Sequence, residues 1–247
     1  MIKKSKIIYN DLINLRFNID QKNKNFTQKN SKIHERGIIN YLIKKWNFKE
    51  ISNKFPKLKN IKKHVKNHET FCENSIKLPN DIYVIWKLRG SQNHPDIILL
   101  NVKNNRINIF PIECKLSSGK IMWNDNIPVH NHYFYHIVNV NTKKTALFPS
   151  GDEYIISHEV KECYKNYKKE IIELKNKYQN IFTMMETSKD NNGNLINPQG
   201  YSVYPRVNYC QKIKKKLQHD FTEYPCLIKM EWRKKFVSCF DSFMFDF

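Results

Sequence analysis

The sequence predicts an α/β domain with a central mixed β-sheet flanked by helices. Five short segments rich in β-branched and aromatic residues lie between residues 82 and 148, separated by turn formers. Amphipathic stretches with helical spacing stand on either side of them. No internal repeat and no Pro- or Gly-rich linker divides the 247 residues, a length that suits a single domain over 1–247 with its own core.

Taken in order, residues 1–32 are rich in Lys and Asn and are expected to be a partly loose basic segment. Beyond it Ile38, Ile39, Leu42, Ile43 and Trp46 recur at helical spacing, which predicts an amphipathic helix near 32–46. A very basic segment follows to about His68 and is expected to be helical in part. Ile82–Leu88 (IYVIWKL), Pro95–Val102 (PDIILLNV) and Ile107–Leu116 (INIFPIECKL) read as strands. They are bounded by Gly90-Ser91-Gln92-Asn93 and by Lys103-Asn104-Asn105-Arg106, and the shortness of the second turn makes the latter two strands an antiparallel hairpin. Tyr133–Val140 and Lys144–Phe148 are further strand candidates. Ser157–Gln179 reads as a long helix with Val160, Cys163, Tyr164, Tyr167, Ile171, Leu174 and Tyr178 on its apolar side. Residues 188–211 are polar, turn-rich and aromatic, as an exposed loop region would be.

The formal net charge is +20, and a chain this basic attracts polyanions, nucleic acid first among them. Lys outnumbers Arg 37 to 6, which an AT-rich genome would also produce. Residues 1–70 hold 18 Lys and Arg against 5 Asp and Glu, so +13 of the charge sits there. The six cysteines contain no C-x-x-C pair, which argues against a zinc ribbon and fits reduced thiols. No apolar run approaches the ~20 residues that span a bilayer, and the N-terminus lacks a secretion-type apolar stretch. The expectation is a cytoplasmic protein without a membrane partner.

The chemistry concentrates in His94-Pro95-Asp96 and Glu113-Cys114-Lys115, the two halves of the expected hairpin. Glu113 and Lys115 are two apart on a strand and therefore share a face. Asp96 begins the partner strand, from which its carboxylate can reach the same place. A carboxylate among Ile109, Ile112 and Leu116 is costly to bury unless a cation compensates it. The Lys115 ammonium is one such cation. Mg²⁺ is another, since it accepts two carboxylates together with phosphate oxygens. Lys115 would hold or deprotonate the attacking water and offset charge in the transition state.

Pro95-Asp96 followed by Glu113-Cys114-Lys115 in a hairpin resembles the PD-(D/E)xK nucleases, and among them the type II restriction endonucleases, over about residues 30–150. The resemblance implies a restriction-endonuclease-like core and Mg²⁺-dependent hydrolysis of double-stranded DNA. Asp96 and Glu113 would be metal ligands, Lys115 would be catalytic, and the products would carry 5′-phosphates. It further implies a homodimer acting on a short palindromic site. Members of the family often add an acidic residue from a preceding helix, for which Glu35 is the candidate and Glu73 the second choice. Glu35 also stands where the macrodipole favours an acid.

Lys120 and Asn124 follow the second motif and are candidate DNA contacts. Within 188–216, a candidate DNA-contacting insertion, Arg206 is suited to guanine, Gln199 and Asn208 to adenine, and Tyr204 to stacking or phosphate contact. Lys212, Lys214 and Lys215 would clamp phosphates. The triplet His130-Asn131-His132 is too compact to build an HNH site, and His64 with His68 lacks further metal ligands. Two rivals stand beside the restriction enzyme: a basic nucleic-acid-binding protein without catalysis, and a structure-specific repair or recombination nuclease with the same core.

Overall fold

The computed structural model describes residues 4–19, 28–55, 58–67, 69–73, 78–88, 95–104, 106–117, 133–195 and 224–245. The chain divides into two compact units, one holding the sheet with most of the helices and the other a long helix within residues 153–212.

The first unit is an α/β body around an open, mixed, seven-stranded sheet. Its strands are β1 (Lys49–Ile51), β2 (Phe71–Glu73), β3 (Asp81–Trp86), β4 (Ile97–Lys103), β5 (Arg106–Ser117), β6 (Phe134–Asn139) and β7 (Thr145–Pro149). The order is β1-β3-β4-β5-β6-β7, with β2 beside the first part of β5. β4 and β5 pair antiparallel from Lys103↔Arg106 to Ile97↔Ile112, which is the expected hairpin. Asn104 closes it at φ 49°, a left-handed conformation that Asn tolerates better than most residues. β5 is long enough to take two neighbours on its other edge. Its start pairs antiparallel with β2, and Ile112–Ser117 pairs parallel with β6.

Period-two alternation sends the strand side chains into two apolar layers. Val84, Ile97, Leu99, Phe110, Ile112, Cys114, Phe134 and Leu147 face one side, where they meet α1 (Lys4–Asn14), α2 (Gln28–Trp46) and α5 (Cys226–Phe245). Tyr83, Ile85, Ile98, Leu100, Val102, Ile107 and Ile109 face the other, where Ile61 and Val65 of α3 (Lys59–Lys66) cover them. α2 buries Ile38, Ile39 and Leu42 and ends in a left-handed (αL) cap. There Asn47 takes φ 58°, Asn47 N–H donates to Ile43 O at 3.0 Å, and Phe48 N–H donates to Leu42 O at 3.4 Å.

Two helices differ from expectation. α1 lies inside the segment expected to be loose, and its Ile8 and Leu12, one turn apart, are buried in the main core. α5 had no counterpart in the sequence reading. Its Trp232, Phe236, Phe240 and Phe243 fall at spacings of four, four and three and are all buried. The side-chain amide of buried Asn101 on β4 donates to Phe243 O at 2.8 Å and Met244 O at 3.1 Å, satisfying carbonyls at the end of α5. Lys235 pairs with the buried Asp152 carboxylate at 2.5 Å, which fixes α5 beyond the end of β7.

The second unit holds α4 (His158–Thr187), which extends past the expected Ser157–Gln179. Val160, Tyr167, Leu174, Tyr178 and Ile181 of its apolar side are exposed. After it, Lys189 and Leu195 form an isolated antiparallel bridge. None of the helices among the described residues is long and apolar enough to cross a membrane.

Candidate active site

The C-terminal half of β5 builds the site. Continuing the β4–β5 register one step beyond Ile97↔Ile112 sets Asp96 opposite Glu113. The Asp96 N–H donates to Glu113 Oε2 at 3.2 Å, and the Cys114 N–H donates to Asp96 Oδ2 at 3.1 Å. Lys115, on the same strand face as Glu113, brings Nζ to 2.6 Å from Glu113 Oε1. Cys114 turns into the opposite apolar layer. Burial pushes its thiol well above the ordinary range, so it packs as a neutral group.

Glu35 reaches the same region from α2 and is, like Glu113, only 1% exposed. Its Oε2 accepts from Trp86 Nε1 at 2.6 Å and from Lys87 Nζ at 3.0 Å, and its Oε1 accepts from the Ser31 hydroxyl one helical turn away. The Arg36 guanidinium lies 4.2 Å over the Trp86 ring, a cation–π contact. Lys87 Nζ is also 4.0 Å from Asp96 Oδ1. Glu35, Asp96 and Glu113 thus face Lys87 and Lys115, an excess of one negative charge when all five are ionised.

That crowding sets the protonation states. Burial first, then the charges of Glu113 and Glu35, push the Asp96 carboxyl well above the ordinary carboxylate range, against Lys115 and the Cys114 N–H. For Lys115 burial acts to remove the proton, but the charge of Glu113, its hydrogen bond and the charge of Asp96 outweigh burial and raise the pKa. Lys115 is therefore a held ammonium in this arrangement, suited to binding water or phosphate and not to taking a proton from it.

A second buried polar group lies behind Glu35. His34 Nε2 is 2.7 Å from His136 Nδ1, and His136 Nε2 is 2.9 Å from Leu12 O. The carbonyl can only accept, so His136 Nε2 carries a proton and its bare Nδ1 accepts from His34 Nε2–H. Burial, then the neighbouring His136, pulls His34 well below the ordinary imidazole value, and burial pulls His136 down to about 4. Phe17 closes the pair, its ring edge-on to both imidazoles with centroids at 4.9 and 6.0 Å. The two neutral rings link α1, α2 and β6.

The four residues expected at the chemical centre, Asp96, Glu113, Lys115 and Glu35, lie together. The β2–β5 register places the Glu73 backbone opposite Arg106, seven residues along β5 from Glu113. Lys120, Asn124, Gln199, Tyr204, Arg206, Asn208, Lys212, Lys214 and Lys215 lie outside the described residues. Ser31, Trp86 and Lys87 were missed because no motif marks them.

Among the described residues no three His, Cys, Asp or Glu side chains form a ready-made metal cage. The donor set nevertheless fits Mg²⁺, which commonly takes one or two carboxylates and completes its shell with water and substrate phosphate. Comparison with family models, with curated proteins and with solved structures finds no match for this chain.

Proposed function

We propose that this protein is a Mg²⁺-dependent endonuclease that hydrolyses phosphodiester bonds of double-stranded DNA, with a core of the PD-(D/E)xK type. The observation that carries the reading is the meeting of Asp96, Glu113 and Lys115 where two paired strands end, backed by buried Glu35. Asp96 and Glu113 would hold Mg²⁺. When bound, the ion supplies polarisation of the scissile phosphate and a lowered pKa for a water. The Lys115 ammonium binds the water or a phosphate oxygen and offsets charge developing in the transition state. Ser31, Trp86 and Lys87 hold Glu35 in a single orientation beside Asp96. The net charge of +20 draws the duplex to the protein without regard to sequence.

A purified sample incubated with a long defined duplex and Mg²⁺ tests this. The expected result is discrete fragments with 5′-phosphate ends, loss of cutting with excess chelator, and DNA binding with little cutting in Ca²⁺, a larger and looser ion. An intact duplex under all metal conditions, with binding retained, would favour the non-catalytic reading.

A further inference from the structure

Lys87 belongs to neither half of the motif, yet it sits inside the charged cluster. It follows β3 with φ 48°, a conformation uncommon for long side chains and found where the surroundings enforce it. Both of its backbone polar groups are held. The N–H donates to Asp96 O at 2.7 Å, and the carbonyl accepts from Asn53 Nδ2 at 3.2 Å. The pinned turn aims the ammonium inward, 3.0 Å from Glu35 Oε2 and 4.0 Å from Asp96 Oδ1, with the side chain 16% exposed.

Glu35 and Asp96 come from different elements, α2 and the start of β4, and a positive charge already stands between them. In two-metal sites the ions lie about 3.5–4 Å apart and are bridged by carboxylates. Lys87 stands between Glu35 and Asp96, while Lys115 pairs with Glu113. A divalent ion placed beside Glu35 would have to displace this ammonium from a buried carboxylate. We propose that Lys87 is a built-in cation standing in for a second metal ion, so that the centre holds one divalent ion, at Asp96 and Glu113. Glu35 then orients Lys87 and is not a metal ligand. The proposal rests on the reading of this centre as a cation-dependent nuclease.

The test counts Mn²⁺ bound to the full chain, with Mn²⁺ alone as the probe and electron paramagnetic resonance as the readout. Wild type is expected to bind one ion. Lys87→Met, which keeps the aliphatic stem and removes the charge, is expected to bind two. Glu35→Gln is expected to keep the wild-type count with affinity changed by less than about threefold, whereas loss of even an outer-shell partner of a metal ligand costs roughly ten- to a hundredfold. Two ions on wild type, one ion on folded Lys87→Met, or a tenfold loss in Glu35→Gln would each overturn the proposal and leave the nuclease reading in place. No ion on wild type at millimolar Mn²⁺ would overturn both. If Lys87→Met does not fold, the wild-type count and Glu35→Gln decide.

Discussion

Asp96 carries the electrostatic cost of the site. Its folded pKa is raised, so the folded state holds that proton more tightly than the unfolded chain does. Its contribution to stability is fully present below the ordinary value of 3.8 and is lost as pH rises toward the folded value. Asp96→Asn removes this handicap. In metal-free protein the variant is expected to melt above wild type by a margin that grows from pH 4 to pH 8 and vanishes near pH 3, while cutting is abolished. A margin that stays constant with pH would contradict the assignment. A steric prediction accompanies it at Gly37, where a Cβ would fall 2.6 Å from the Phe17 ring that packs on both histidines. Gly37→Val should lower stability by about 1–3 kcal/mol in denaturant melts, through overpacking. Asp96, Glu113 and Lys115 were legible because strand alternation alone places them. Lys87 was not, because its role depends on a left-handed turn after β3 that no sequence pattern marks.

Elements outside the motif determine how well the site is held. The His34–His136 pair joins α1, α2 and β6 with both rings neutral. A histidine with a depressed folded pKa contributes stability that is complete above 6.5 and lost as pH falls toward about 4. Relative to a His136→Gln variant, wild type should therefore lose about 3 kcal/mol between pH 7 and pH 4, measured as the change in their difference in urea unfolding. A pH-independent difference would show that His136 is not buried as a neutral ring. α5 matters in the same way. Its Phe240 packs edge-on against Phe110 of β5, with centroids 5.1 Å apart. Phe240→Ala should cost about 3–5 kcal/mol and weaken the site without touching it. The five strands from β3 to β7 and helices α2 and α4 were readable from periodicity. α1 and α5 were obscured for different reasons. The first lies in a Lys- and Asn-rich stretch where composition masks the Ile8–Leu12 pair, and the second uses aromatic residues at spacings that passed unread.

At the scale of the molecule, antiparallel β4 pairs with β5 as far as Ile112, and parallel β6 runs beside the half of β5 that carries Glu113 and Lys115. The order of strands was not legible, since β1 pairs with β3 and β2 with β5 across intervening chain that local patterns do not encode. Under the proposed function the basic charge would bind the duplex and the buried acidic centre would hydrolyse it. Glu113→Gln separates the two, because it removes one carboxylate charge and leaves the lysine-rich surface intact. The decisive measurement is the single-turnover cleavage rate of an end-labelled duplex in Mg²⁺, wild type against Glu113→Gln, with duplex affinity measured on both. The expected rate for Glu113→Gln is at least about a hundredfold lower at unchanged affinity, equivalent to a loss of about 3 kcal/mol of transition-state stabilisation. Equal cleavage by the two proteins would contradict it.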